Sequence, residues 1–430
     1  MPVKKFGRML LLIIVVATIF SGCVMRTVDE LYCLPKRSQS DDDMQAVIDK
    51  AMVGLMYCAP VYGENRQMVQ PADLDGDGVD EYVVLAKGGS LRQLKIMIFG
   101  QYTLGYELTD TIESYGSAFD FIQFANVDNQ PGDEIIVGRQ VGDGVVRSAA
   151  VYRFQDGDTH QLLEASYVKF LTSDLNEDGR SELITIHPGE TGDVVSKAIV
   201  YRFESGVVQP VSEIEISAAA DRIKRIEPIV LQDKSLAILV VAEEGENQLM
   251  EIVSFKSGSL YHVYGPAVIK RLHNNFAYPM DSDGDGDVEI PELVPMLDKG
   301  QESAEESWIL WFGVDANGKR TDGMYTYYSH EDKWYIHVNR LWVNQLTVTR
   351  SEGVCIFYNR DDEVVMTIYA LTGANRKEQA QQLGGIVLGS SDTITFAATI
   401  GPLAQDFDIT EQRVKQMFYG LNLALYTEEE

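Results

Sequence analysis

The chemistry in this sequence is concentrated in short acidic stretches. Asp73-Leu-Asp-Gly-Asp-Gly-Val-Asp-Glu81 alternates carboxylates with glycines and runs into an apolar segment at 82–86. Asp174-Leu-Asn-Glu-Asp-Gly-Arg-Ser-Glu182 and Asp281-Ser-Asp-Gly-Asp-Gly-Asp-Val-Glu289 repeat the pattern. Ca2+ takes about six to eight oxygen ligands, and alternating short carboxylates on a tight turn converge on one point. In the first stretch the expected ligands are Asp73, Asp75, Asp77, the carbonyl of Val79, and Glu81, with Gly78 permitting the sharp turn. The corresponding sets are Asp174, Asn176, Asp178, Arg180 and Glu182, then Asp281, Asp283, Asp285, Asp287 and Glu289. Arg180 and Asp287 stand at the place of Val79. A fourth stretch, Asn126-Val-Asp-Asn-Gln-Pro-Gly-Asp-Glu134, has Gln130 and Pro131 where an acid and a glycine belong, which weakens it as a metal site. The metal-free alternative is a set of Asx-type turns. Carboxylates crowded this closely repel one another without a cation, so Ca2+ is the expected cofactor.

The last stretch has a second reading. Asp281, Asp283, Asp285, Gly286, Val288 and Glu292 also fit an EF-hand loop. That motif needs flanking helices, and Pro279, Pro291 and Pro295 oppose them.

The acidic stretches start at 73, 126, 174 and 281, giving spacings of 126 − 73 = 53, 174 − 126 = 48 and 281 − 174 = 107. The last gap is about double the others, which predicts a degenerate copy near residue 228; there the apolar segment survives without the acids. A short strand precedes each loop, another follows it directly, and a third comes some 25 residues on, as at 95–99, 151–154, 199–203, 251–255 and 308–312. Repeated four-stranded units of about 50 residues are a β-propeller pattern. The acidic loop followed by an apolar strand resembles the FG-GAP/VCBS repeats of integrin α-chain-like propellers, over about residues 66–345. The resemblance implies a mainly β fold, with a propeller of about five to seven four-stranded blades. It also implies Ca2+ at the blade edges and faces that bind proteins or glycans.

Lys4, Lys5 and Arg8 precede an apolar run from Met9 to Phe20, which ends in Ser21-Gly22-Cys23. This is a signal-peptide pattern. A twelve-residue helix rises only about 18 Å, too short for a hydrocarbon core of about 30 Å. The segment Ile19-Phe20-Ser21-Gly22-Cys23 resembles the lipobox of bacterial lipoproteins, which implies lipidation of Cys23 and an anchor on the extracytoplasmic face of the cell membrane. The expected organisation is a signal peptide at 1–22, a linker and short helix at 23–65, the propeller at 66–345, and a small α+β domain at 346–430. That last domain ends in an amphipathic helix from Asp408 to Leu425. Cys33 and Cys58 are open to a bridge in an oxidising compartment.

With 36 Lys+Arg against 65 Asp+Glu, the formal net charge is −29. Such a surface repels polyanions, which excludes a nucleic-acid partner. Other motifs reduce to local structure: Gly313–Lys319 has P-loop-like spacing but turn chemistry, and Ser166-Tyr-Val-Lys169 lies in an alternating strand. The six histidines show no zinc spacing. Tyr325, Tyr327, Tyr328, Trp334, Tyr335 and Trp342 crowd one stretch beside His330 and His337. They serve either as blade core or as a face for sugar rings or a protein. The favoured function is a membrane-anchored, calcium-stabilised binding module for protein or glycan ligands. The alternatives are an extracellular hydrolase acting on glycans and a structural envelope component.

Overall fold

The computed structural model describes residues 39–89, 93–103, 105–142, 146–189, 195–271, 277–298 and 301–420. The expectations for the signal segment, Cys23 and Cys33 lie outside these residues. The chain is mainly β, and its described strands form six antiparallel sheets. The first sheet joins Glu81–Gly88, Gln93–Tyr102 and Gly105–Tyr115, with Leu55–Tyr57 and Val69–Ala72 both pairing along Glu81–Gly88. The second runs through Ala118–Ala125, Glu134–Gln140, Arg147–Gln155 and Asp158–Tyr167. Lys169–Ser173, Glu182–Pro188, Ser196–Glu204 and Val207–Ile216 make the third. The fourth contains Ile223–Val230, Leu236–Glu244, Asn247–Lys256 and Ser259–Lys270. In each of these last three, sequential strands are spatial neighbours, as short turns between antiparallel strands favour. The fifth sheet is built on Ile290–Asp298, Gln301–Phe312, Met324–Ser329 and Trp334–Val338. The sixth spans Thr347–Ser351 to Ile394–Ile400.

The side-chain period of two explains how the sheets join. Val83 and Leu85 point into a core shared with Phe119, Ile135 and Val137 of the second sheet. Their neighbours Val84 and Ala86 point the other way, against Ile48 and Met52 of the helix Gln39–Ala51 and its following turn. Ile136 turns from the second sheet toward Leu183 and Tyr201 of the third. Ile184 and Ile186 pack on Ile238 and Val253 of the fourth, and Leu239 and Ile252 on Phe312 and Val314 of the fifth. Strands buried on both faces read as continuous apolar runs rather than as alternation. Each fully buried Ile or Val in these seams contributes about 1.5–3 kcal/mol.

The last seam, between the fifth and sixth sheets, is aromatic: Trp308, Tyr327, Trp334, Phe357 and Phe396 are all buried there. It also corrects the expected C-terminal helix. Asp408 does not begin that helix; it sits in the left-handed region at φ 58° after a 3-10 turn. Thr410 is the cap, its Oγ1 accepting the Arg413 amide at 3.3 Å. The helix itself is only Glu411–Met417. Phe418 then turns extended and starts the strand Phe418–Gly420, which pairs with 334–336. Its ring packs 5.6 Å from Trp334 and 5.3 Å from Phe396, and this burial outweighs the continued helical pattern. Leu421 and Leu425 lie outside the described residues. Among the described residues no helix is long and apolar enough to cross a membrane.

Candidate metal loops

Each acidic stretch is the turn that leads into an apolar strand of its sheet. Loop one joins Val69–Ala72 to Glu81–Gly88, loop two joins Ala118–Ala125 to Glu134–Gln140, and loop three joins Lys169–Ser173 to Glu182–Pro188. The last loop is closed by a bridge between Met280 and Glu289 ahead of Ile290–Asp298. No helix flanks it, and Glu292 points to Arg320 at 2.5 Å, which removes the EF-hand reading. The degenerate copy is a tight turn in which the Leu231 amide donates to the Ser235 carbonyl.

One internal geometry recurs. The final glutamate of each loop accepts the amide of the second loop residue: Leu74 N to Glu81 at 2.9 Å, Val127 N to Glu134 at 2.7 Å, Leu175 N to Glu182 at 2.9 Å, and Ser282 N to Glu289 at 2.8 Å. The first residue accepts later amides, as Asp73 does from Gly76 and Gly78, and Asp281 from Gly284 and Gly286. Glycines at positive φ make these turns without strain, among them Gly78 at 84° and Gly286 at 89°. The first three loops also touch in sequence. The Asp133 amide donates to the Asp73 carbonyl at 2.9 Å, and the Ser181 amide to the Asn126 carbonyl at 2.8 Å. They therefore stand in a row along one edge of the sheets.

The electrostatics distinguish the loops. In loop one, Asp73, Asp75 and Glu81 bring a carboxylate oxygen each within 4.8 Å of one another; in the last loop Asp281, Asp283 and Asp285 do the same. Burial pushes the Glu81 carboxyl up to about 7, helped by the like charges of Asp75, Asp77 and Asp73. Burial likewise raises Glu289, with Asp283 and Asp285 adding to it. Both donor sets are all-oxygen and short-armed, which suits a hard divalent cation. Asp287 is buried and its carboxylate is engaged by Lys234, whose Nζ lies 2.6 Å away.

Loop three is occupied differently. Arg202 reaches from the following strand to Asp178 and places Nε 3.0 Å from Glu182, while Arg180 Nη2 lies 2.9 Å from Asp178. Asn176 donates to the same oxygen of Glu182, Oε1, at 2.9 Å. In loop two Arg153 reaches Asp128 in the same way, and the Asp128 side chain is fully buried. The sequence reading missed both arginines. The signal for them is there, since Val151-Tyr-Arg-Phe154 and Val200-Tyr-Arg-Phe203 follow their loops at nearly equal distance.

The aromatic stretch is split by strand parity. Tyr327, Trp334 and Trp342 are buried, Trp342 donating its indole N–H to the Phe407 carbonyl at 2.9 Å. The opposite face carries Tyr328, Tyr335 and His337, joined by Tyr419, which the sequence alone does not place there. Tyr335 and Tyr419 stack at 4.7 Å and 6°, and His337 lies 4.7 Å from Tyr419. Tyr419 is 43% exposed. A pocket lined by Met280, Ser282, Trp311, Tyr328 and Tyr335 connects this face to the start of the last loop.

Among the described residues, the remaining motifs are engaged in local structure. Gly313–Lys319 is a turn in which Asp315 accepts the Asn317 and Lys319 amides. Asp120 is a buried carboxylate satisfied by Tyr167 at 2.7 Å, with Arg147 and Gln140 each at 3.3 Å.

No family model matches the chain, and no curated protein matches it. Among solved structures, the exotype rhamnogalacturonan lyase YesX aligns at 12% identity and a TM-score of 0.33, over 66% of this chain and 62% of its own. The rhamnogalacturonan lyase YesW aligns at 12% and 0.33, over 68% and 66%. The Bacillus licheniformis rhamnogalacturonan lyase PL11 aligns at 12% and 0.33, over 71% and 60%. The chain spans less than two thirds of the length of each. Likeness at this level assigns neither fold nor activity.

Proposed function

We propose that this protein is an extracytoplasmic lipoprotein, held to the membrane through Cys23, whose Ca2+-stabilised β-propeller binds a protein or glycan ligand. The carrying observation is the recurrence of one loop geometry at the entry to a strand in four of the sheets, with three-carboxylate clusters in loop one and the last loop. Consecutive antiparallel sheets, packed face to face in chain order, support the blades of an FG-GAP/VCBS-type propeller. In loop one the ion would be held by Asp73, Asp75, Asp77, the Val79 carbonyl and Glu81. In the last loop it would be held by Asp281, Asp283, Asp285, the Asp287 carbonyl and Glu289. A bound cation cancels carboxylate repulsion and fixes the loops at one edge, which is what a binding face on a rigid scaffold needs. The half-exposed rings of Tyr335, His337 and Tyr419 are the surface best suited to a sugar ring or an apolar side chain.

Thermal unfolding with Ca2+ against chelator tests the cation half. For the ligand half, Tyr419→Ala should lower retention on immobilised glycans or envelope proteins while leaving the melting temperature within a few degrees. Unchanged retention would remove the aromatic face from the account.

A further inference from the structure

The strand ladders set the four acidic loops in a common register. Tyr82 pairs with Phe99, Ile135 with Tyr152, Leu183 with Tyr201, and Ile290 with Phe312. Just beyond the end of each ladder, the next residue is a closing glutamate on one strand, Glu81, Glu134, Glu182 or Glu289, and on the other Gly100, Arg153, Arg202 or Gly313 in turn. The same place therefore holds arginine in the two middle loops and glycine in the two outer ones.

The side chains follow from that exchange. Arg153 reaches Asp128 of loop two, and Arg202 reaches both Asp178 and Glu182 of loop three. Gly100 sends nothing into loop one; its amide bonds the Thr109 hydroxyl at 3.2 Å. Beside Gly313 the space is taken by Gln232, a neutral amide whose Nε2 lies 3.5 Å from Glu289. Among the described residues, the three-carboxylate groupings open to a metal are found in the loops facing glycine.

We propose that Arg153 and Arg202 are built-in cations that take the place of a metal ion, so that divalent-cation binding is confined to the first and last loops. The inference rests on the calcium reading above and fixes its stoichiometry. A guanidinium is always charged, offers its N–H groups in a rigid fork that matches carboxylate geometry, and is weakly hydrated compared with an ammonium. Held against Asp178 and Glu182, it both uses the oxygens a metal would need and repels a second cation. The repeat thus carries two ways of neutralising the same turn, one covalent to the chain and one drawn from solution.

Counting bound Ca2+ on the full chain, by native mass spectrometry or equilibrium dialysis, tests this. The wild type should hold two ions, Asp75→Asn should hold one, and Asp178→Asn should still hold two. Arg202→Gly, which frees Glu182 from its guanidinium and leaves only Arg180 beside Asp178, should gain a third. Three ions in the wild type, or a loss on Asp178→Asn, would overturn the arginine exchange and leave the calcium reading intact. No ion in the wild type but one in Arg202→Gly would overturn the calcium reading of the outer loops and support the exchange. No ion in either would overturn both. Should Arg202→Gly fail to fold, the wild-type, Asp75→Asn and Asp178→Asn counts decide alone.

Discussion

Glu182 is held from two sides: Arg202 Nε lies 3.0 Å from Oε1, while the Leu175 amide donates to Oε2 at 2.9 Å. Glu81 keeps the matching amide bond, from Leu74, and has no arginine opposite. Two glutamates with one local geometry therefore differ in what neutralises them.

The pH dependence should follow Glu81. Burial lifts its carboxyl to about 7 in the metal-free fold, above its ordinary value of 4.5. Between those values the folded state binds the extra proton, so stability in chelator should fall as pH rises through 4.5 to 7. Ca2+ requires the carboxylate, so the stabilisation it gives should be full above pH 7 and fade below it. Melting curves at pH 5 to 8, with and without Ca2+, should therefore diverge with rising pH; parallel curves would contradict the assignment.

Gly132→Ala should damage loop one although it lies in loop two. At φ 91° its added Cβ would sit 2.3 Å from the Leu74 carbonyl oxygen, a backbone atom that cannot step aside. A cost of about 1–3 kcal/mol is expected from the forced backbone alone. Denaturant titration reads the stability loss, and weakened Ca2+ binding should accompany it.

The β units were largely legible from sequence because the loops mark them. Val83 to Ala86 and Ile135 to Val137 are buried on both faces, so their unbroken apolar runs announced strands without needing alternation. The C-terminal helix was over-read for a related reason. Its apolar stripe is real, but Phe418 finds Trp334 and Phe396, residues far away in sequence, and tertiary burial decides against local periodicity. The acids of the loops were equally plain, whereas Arg153 and Arg202 acquire meaning only once the ladder sets them opposite Glu134 and Glu182.

Trp334→Ala should be among the most destabilising core changes. The ring is buried against Tyr327 and Phe418 at the seam of the fifth and sixth sheets. Large-to-small aromatic changes in a packed core cost about 3–5 kcal/mol. A shift in the denaturant midpoint smaller than that of Tyr419→Ala would contradict the face assignment, because Tyr419 is on the exposed side.

Cys23→Ala should abolish palmitate incorporation and release the protein from the membrane fraction. Undiminished labelling would refute the anchor and leave the loops unaffected.

The central claim is that solvent calcium completes the acidic loops. Thermal unfolding in millimolar Ca2+ and in excess chelator measures it directly, since an ion that binds only the folded state adds about 2.7 kcal/mol per site at a hundred times its dissociation constant. The account predicts a melting temperature several degrees higher in Ca2+, reduced by Asp75→Asn and not by Asp178→Asn. Coincident curves in Ca2+ and chelator would contradict it.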